Sequence, residues 1–352
     1  MATVLGELDS LSSNQAISNA LNTVVPVTDS GLTTASYSTL NQFIQTAVGR
    51  VQNIINTASI SEGLTGISTG DSLKGVDIWA QGFGTYAHQS KRGTSNGYNA
   101  NVYGGALGAD RSLRDDKTRI GLSGGYAQTF VRSKDNSGRT DIDSYQANIY
   151  GGFHGDTNPY YLDWAFSFAY NNYDGSRHIT VGAIERTADS DYNGQQYSAF
   201  VEGGYLFNMG KLMLTPLVSL HYMHLYVDSY EETNAGALNL KVEKQNYDLL
   251  QSGLGAKLEA PMNCKNGTFI PEVHFRWLYD FVGDKQQTTS TFTGGGGSFK
   301  TEGFNPAKAS YDLGAKITFL TKNNITFAVD YDCEIKEDFY SHSGLANVKY
   351  SF

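Results

Sequence analysis

Residues 269–281 read FIPEVHFRWLYDF and alternate strictly between two kinds of side chain. The odd-numbered positions are all apolar or aromatic, whereas Glu272, His274, Arg276 and Asp280 occupy even-numbered positions. Because successive side chains of a strand point to opposite faces, this pattern predicts a strand with one apolar and one polar face. An apolar face this rich in aromatic rings is typical of a strand that meets lipid.

The same alternation continues from Val76 to Phe352 and predicts twelve strands. We expect them at 76–88, 98–113, 117–132, 140–154, 160–173, 191–208, 211–230, 241–260, 268–284, 305–320, 324–337 and 342–352. Short connections alternate with longer polar ones, notably 174–190 and 285–304, as periplasmic turns alternate with extracellular loops. An even number of strands lets the first strand pair with the last, which leaves no open edge. The predicted fold is all-β: a twelve-stranded antiparallel transmembrane β-barrel.

The alternation also assigns side chains to faces. We expect these aromatic residues to face lipid: Tyr145, Phe153, Trp164, Phe166, Phe168, Tyr197, Tyr205, Phe207, Phe275, Trp277, Tyr279, Phe281, Phe319, Phe327, Tyr331, Tyr350 and Phe352. We expect these charged residues to face the lumen: Asp163, Glu202, Glu272, Arg276, Asp312, Lys316, Asp330 and Asp332. An Arg or Lys facing lipid at the midplane costs about 2–4 kcal/mol, so Arg276 would not be tolerated on the outward face without compensation.

Composition excludes several classes of protein. Mean hydropathy is −0.35 and no run of 18 apolar residues occurs, so no transmembrane helix is predicted. The net charge of −9 argues against a nucleic-acid partner. Cys264 and Cys333 fall at the ends of different strands, and we expect both thiols to be free. No secretory signal opens the chain, so we expect Met1 to begin a trimmed or mature fragment of a longer chain.

The residues before the barrel have helical periodicity. Apolar residues recur at three- and four-residue steps over 38–57, with Ser38 as the expected N-cap, and 12–22 is a weaker helix candidate. We therefore divide the chain into a pre-barrel segment, 1–75, with a Gly/Ser/Thr-rich linker at its end, and a barrel, 76–352. A helix of about 20 residues is about 30 Å long, which matches the membrane core. We place it in the lumen; the alternative is that it packs outside the barrel.

Arg50 is the only charge of the predicted helix, and burying it unpaired would be costly. Inward carboxylates are available at Glu202, Glu272, Asp280, Asp330, Asp332 and Glu334. We expect Arg50 to meet at least one of them, with Glu202, Glu272 and Asp330 as the main candidates and Glu202 as the first choice.

No constellation of residues predicts catalysis or a metal ion. Residues 70–73 spell the GDSL motif of serine esterases, but no histidine follows an aspartate by three positions, as that mechanism requires. His221 and His224 would point to opposite faces of one strand. Asp330, Asp332 and Glu334 share a face, and we expect them in lumen water near Lys308 or Lys316. We therefore assign no catalytic residue, no cofactor and no metal ligand.

Several local motifs occur in one order along the chain. They are W79-x-x-GFG, G105-x-x-G-x-D, G121-x-x-x-GY, I149-YGG, N193-G-x-x-YSA-x-VEGGY, L214-TPL, S252-GLG and Trp277. This series resembles the autotransporter β-domain family over residues 76–352, and the stretch Leu8–Leu11 with the 38–57 helix looks like its pre-barrel segment. The resemblance implies a bacterial outer-membrane barrel of type V secretion, which anchors an N-terminal passenger and brings it to the cell surface.

The chain ends with Val348, Tyr350 and Phe352 at alternate positions, which resembles the signal read by the outer-membrane assembly machinery. Partners implied by the resemblance are that machinery, periplasmic chaperones, outer-membrane lipid and lipopolysaccharide, and the chain's own passenger, around a monomeric barrel. Two other functions stay open. One is a porin or channel with a helical plug, and the other is a barrel enzyme, for which the sequence offers no Ser/His/Asp set.

Overall fold

A computed structural model describes residues 1–26, 31–45, 48, 76–93, 95–113, 117–154, 159–283 and 287–352. Within these residues, twelve long antiparallel strands form one closed sheet. They are β1 Val76–Gln89, β2 Tyr98–Ser112, β3 Thr118–Ser133, β4 Gly138–His154, β5 Tyr160–Val181, β6 Ile184–Tyr205, β7 Met213–Val227, β8 Gln245–Glu259, β9 Gly267–Gly283, β10 Ala309–Thr321, β11 Ile325–Lys336 and β12 Phe339–Ser351.

The first and last strands close the barrel. β12 pairs with β1 continuously from Asp77 opposite Ser351 to Gln89 opposite Phe339, and every other long strand pairs with its neighbours in sequence. Closure satisfies the backbone hydrogen bonds that an open sheet edge would leave exposed. The predicted twelve-stranded barrel is confirmed.

The two faces of the barrel are those that the alternation predicts. On β9, Val273 is 55% exposed, whereas the adjacent His274 is 7% exposed. The outward aromatic set is exposed or half-buried throughout, and the inward charged set is buried or half-buried. The outer surface is therefore mainly apolar and aromatic, and the predicted inward charged set lines the lumen.

This register gives a direct test. Val273→Arg places a charge on the lipid face about midway along β9, and we expect a loss of stability of about 2–4 kcal/mol. His274→Arg, one residue away, points into the lumen beside Glu272 and Asp332, and we expect it to be tolerated. Urea midpoints of the two variants refolded into lipid vesicles measure the difference. The reverse order would show that the register of β9 is shifted by one residue.

The predicted long loop over 174–190 is wrong. β5 and β6 each continue for 22 residues to a turn at Gly182 and Ala183, where Gly182 has a φ of +57°. The alternation persists there because Ile179 and Val181, on the inward face of β5, are buried against the N-terminal helices. The connection between β11 and β12 is also shorter than predicted, because Glu337 and Asp338 alone make the turn.

We call the end of the barrel that contains the β5–β6 and β11–β12 connections the loop end. The opposite end, where β1 begins, is the turn end. A cap covers the loop end. It consists of helix α1 (Ala2–Ser10), helix α2 (Asn14–Val24), the tips of β5 and β6, and a small sheet of Tyr230–Glu231, Leu240–Val242, Gln287–Phe292 and Phe299–Glu302.

Apolar packing and a buried ion pair hold the cap together. Val24 of α2 and Ile179 of β5 lie in one apolar cluster with Leu238. Arg177 bonds both carboxylate oxygens of Glu232, at 3.0 and 2.6 Å, and also donates to the carbonyl of Thr23 in α2. The N-terminal helices are thus fixed to the barrel at the loop end.

The sequence predicted α2 but not α1. Ser13 caps α2 by accepting a hydrogen bond from the backbone N–H of Ala16 at 3.1 Å. In the described part of the chain, no helix has both the length and the apolar character that a membrane crossing requires. Cys264 and Cys333 are free thiols, as predicted.

Candidate functional site

A third helix, α3, lies inside the barrel and is described over residues 31–45. It is helical well before Ser38, so the prediction of Ser38 as its N-cap is wrong. The Thr39 hydroxyl bonds to the carbonyl of Ala35 at 2.9 Å within the helix, and Ala35 is buried against the barrel wall. Ser38 instead lies within the helix, where the neighbouring Thr39 hydroxyl bonds to the preceding turn and the Tyr37 hydroxyl bonds to Gln251 on the barrel wall.

One side of α3 is apolar and packs against the wall formed by β1 to β7. Leu40, Phe43 and Ile44 have no more than 1% exposure. They share a cluster with wall residues that are mostly small or apolar: Phe83, Val102, Ala106, Ala127, Ala165, Ala169, Phe200 and Met223. The apolar residues of the helix therefore meet an apolar patch of the lumen, which excludes the alternative that this helix packs outside.

Phe43 occupies a niche that a glycine provides. Its ring packs edge-to-face on Phe83, with centroids 4.9 Å apart. A Cβ at Gly125 would overlap the Phe43 ring and lie 2.7 Å from the carbonyl oxygen of Gly105. Gly125 belongs to a motif that the sequence showed, but its role in seating the helix becomes visible only in the structure.

Gly125→Ala should therefore unseat α3. We expect a loss of about 1–3 kcal/mol, the usual cost of overfilling a packed interior. Gly124→Ala is the matched control, since its Cβ would meet only the Gln146 carbonyl oxygen, at 3.6 Å. Thermal unfolding in detergent measures both variants. Equal unfolding midpoints for the two variants would contradict the packing of Phe43 against Gly125. Combining Phe43→Ala with Gly125→Ala should recover part of the stability that Gly125→Ala loses.

The other side of α3 is polar. Tyr37 donates from its hydroxyl to Gln251 at 2.9 Å, and Gln196 donates to the Ser36 carbonyl at 3.1 Å. Beyond these contacts lies a cavity of about 220 Å³, bounded by the polar face of the helix and the opposite wall. The helix thus fills one side of the lumen and leaves a polar space on the other.

Three rows of side chains cross β9, β10 and β11 on that opposite wall. In register they are Glu272–Lys316–Asp330, His274–Gly314–Asp332 and Arg276–Asp312–Glu334. The sequence expectation that the β11 carboxylates lie near Lys316 is confirmed for Asp330. These rows give the cavity a wall with both signs of charge and an excess of carboxylates.

Of the residues predicted to contact one another at the lumen helix, the structure brings together the three carboxylates. Glu202 is buried at 1% exposure, accepts from the Tyr161 hydroxyl at 2.9 Å, and lies 3.4 Å from both Lys257 and Arg276. Glu272 and Asp330 line the same cavity as Glu202. Arg50 lies outside the described residues, as does the GDSL stretch, so the contact of Arg50 with these carboxylates stays a prediction.

A buried ion-pair network, which the alternation along single strands did not predict, lies at the turn end of the lumen. Arg119 on β3 contacts Asp77 on β1 and, at 2.5 Å, Asp110 on β2. Lys349 on β12 lies 3.3 Å from the same Asp77. The network therefore joins four strands across the place where the barrel closes.

Two aromatic residues complete this network. Trp79 donates from its indole nitrogen to the Tyr150 hydroxyl, which donates to Asp110, both at 2.8 Å. A Cβ at Gly108 would overlap Trp79, and one at Gly121 would overlap Tyr150. The glycine motifs of β2 and β3 thus make room for buried rings. Asp110, the acidic residue of the β2 motif, was the one feature of the sequence that pointed to this network.

The residues of the expected assembly signal all face outward. Val348, Tyr350 and Phe352 are 41%, 46% and 64% exposed, and the last two rings pack edge-to-face at 4.7 Å. The backbone N–H of Phe352 donates to the carbonyl of Val76 at 3.2 Å. They form an apolar stripe along β12 at the closing seam, and their recognition by the assembly machinery stays a prediction.

Sequence comparison relates the chain to outer-membrane proteins. The family model described as Autotransporter beta-domain matches residues 78–332. Outer membrane protein A of Rickettsia conorii is 26% identical over 297 residues, which are 81% of this chain and 14% of that protein. Outer membrane protein B of the same organism is 26% identical over 288 residues, 78% of this chain and 17% of that protein. The chain thus spans less than a fifth of these curated relatives.

Among solved structures, the translocator domain of the autotransporter NalP from Neisseria meningitidis matches with a TM-score of 0.67. The match covers 92% of this chain and 99% of that domain at 18% identity, a level that shows the fold alone. The barrel and its N-terminal helices are therefore similar in fold to that domain.

Proposed function

The chain belongs to the autotransporter β-domain family of the bacterial outer membrane, and we propose that its barrel brings an N-terminal passenger to the cell surface and anchors it there. In this proposal residues 1–75 connect the passenger to the barrel, and residues 76–352 are the membrane anchor. The turn end faces the periplasm and the loop end faces the outside.

The path of the chain through the lumen carries the proposal. α1 and α2 lie in the cap at the loop end. Within α3, Ala35 packs with Ala87 and Tyr98, close to the loop between β1 and β2, whereas Phe43 packs deeper, in the cluster that contains Trp79 near the turn end. The chain therefore passes inward through the pore, and a passenger preceding α1 would lie outside the cell.

The remaining partners follow from the same proposal. The outward stripe of Val348, Tyr350 and Phe352 is the segment that the barrel assembly machinery would read, and periplasmic chaperones would deliver the unfolded chain. The aromatic outer surface would contact lipid and lipopolysaccharide. The porin alternative has less support, because α3 fills one side of the lumen and leaves a space of only about 220 Å³ beside it.

A display experiment tests the proposal. A secretion signal and a small folded reporter are fused ahead of residues 1–352, and, as the matched comparison, ahead of residues 76–352. We expect the first fusion to expose its reporter to external protease. The second should form a barrel but lose surface display, because it lacks the segment that crosses the pore. A reporter that stays protected in the first fusion, while its barrel is folded by heat-modifiability on gels, would refute passenger delivery.

A further inference from the structure

Three lumen side chains on β9 and β11 direct their ligating atoms toward one place. His274, Asp330 and Asp332 each offer one atom, and the three atoms lie within 4.8 Å of one another. We propose that these residues bind a divalent transition-metal ion, with Zn²⁺ as the type. An imidazole nitrogen with two carboxylate oxygens is a donor set that suits this ion and leaves a coordination position open.

Gly314 is the residue that lets two of these ligands meet. It lies on β10 directly between His274 on β9 and Asp332 on β11. A Cβ at Gly314 would overlap both the Nε2 atom of His274 and the Oδ1 atom of Asp332. The site therefore depends on the absence of a side chain in the middle of its row, and the two ligands approach each other over the glycine backbone.

Unsatisfied buried atoms at this place provide a second, independent observation. The His274 side chain is buried at 5% exposure, and Glu272 Oε1 lies 3.3 Å from its Nδ1 atom, so that Nε2 is the nitrogen that faces Asp332 and Asp312. The Oδ1 atoms of Asp312 and Asp330 are buried with no hydrogen-bond partner in the described part of the chain. Buried acceptors without partners are costly, and a cation would satisfy them.

The charge balance of the three rows favours the same conclusion. Among the described residues, the rows contain five carboxylates, namely Glu272, Asp312, Asp330, Asp332 and Glu334, against the two permanent cations Lys316 and Arg276. With a neutral imidazole, three negative charges remain in these rows. A divalent ion offsets two of them at the point where carboxylates from neighbouring strands converge.

Metal binding requires only a small rearrangement. His274 Nε2 and Asp332 Oδ1 are 2.7 Å apart and share a hydrogen bond. Two ligand atoms about 2.0–2.1 Å from a tetrahedral ion lie roughly 3.3 Å apart. The Nε2 and Oδ1 atoms would therefore separate by about half an ångström, and the proton that they share would be released. Asp312, whose Oδ1 is 3.8 Å from His274 Nε2, is placed to take the fourth position.

Titration of the refolded chain with metal tests this site. Co²⁺, a spectroscopic substitute for Zn²⁺, is added to residues 1–352 in detergent micelles, and Zn²⁺ affinity is measured by calorimetry. We expect one saturable ion with the intense visible absorption of tetrahedral Co²⁺. His274→Gln and Asp332→Asn should each weaken binding at least about tenfold, and Gly314→Ala should do so without removing a ligand.

The matched control is His221→Gln. His221 is also buried in the lumen, but it lies on β7 rather than on β9 to β11, and it bonds to the Ser198 hydroxyl at 2.8 Å. Replacing His221 should leave the Zn²⁺ affinity unchanged. No saturable binding, an unchanged affinity of His274→Gln, or an equal loss in His221→Gln would each overturn the proposal. If His274→Gln does not fold by heat-modifiability, Asp332→Asn decides the question.

Discussion

Deletion of residues 1–60 should raise the single-channel conductance of the refolded barrel several-fold. The deletion removes α3, whose apolar side is buried against the wall from Phe83 to Met223. A helix with its side chains is about 10–12 Å across, so its removal opens much of the lumen to water and ions. In the intact chain, ions would be confined to the space of about 220 Å³ beside the helix. Recordings in planar bilayers at one salt concentration measure the change.

Deletion of residues 1–26 provides the control. It removes α1 and α2 from the cap but retains α3 in the lumen, so we expect the conductance to stay close to that of the intact chain. Equal conductance of the intact chain and the 1–60 deletion would show that α3 does not plug the pore. An equal rise in both deletions would assign the block to the cap instead.

Arg119→Leu should destabilise the barrel by about 3–5 kcal/mol, the usual cost of removing one partner from a buried ion pair. The Arg119 side chain is 4% exposed and the carboxylates of Asp77 and Asp110 are 1% exposed, so solvent cannot replace the lost guanidinium. Lys349 still lies 3.3 Å from Asp77, but its ammonium does not replace the contact of Arg119 with Asp110. Denaturant unfolding in micelles measures the loss.

Arg132→Leu is the matched control on the same strand. Arg132 pairs with Asp141 at 2.5 Å, but the two side chains are 39% and 25% exposed, and pairs of this kind contribute about 0–1 kcal/mol. A loss for Arg119→Leu no larger than that for Arg132→Leu would show that the buried network does not stabilise the closing strands.

Alternation along each strand was enough to predict which side chains face lipid. It follows directly from strand geometry, so the residues 269–281 placed Val273 outside and His274 inside without knowledge of any other strand. The prediction failed at the tips of β5 and β6, where the alternation continues into the cap. At 174–190 the alternating residues are buried by the cap, and the polar residues between them suggested a loop.

The contents of the lumen could not be predicted in the same way. The seat of Phe43 on Gly125 joins a helix to a strand far along the chain, and alternation within one strand contains no information about such a contact. His274 and Asp332 meet only because the registers of β9, β10 and β11 place Gly314 between them. Each strand showed which residues point inward, but the neighbours of each residue depend on pairing between strands.

The closing seam has a consequence for how the barrel forms. Asp77 pairs with Ser351, so the strand synthesised first can find one of its two neighbours only after the last residues have been made. Contacts between residues so distant in sequence form slowly, because the loop that they close is long. Until then β1 presents an unpaired edge, which other chains can add to. We therefore expect chains truncated before β12 to aggregate or be degraded rather than accumulate as smaller barrels.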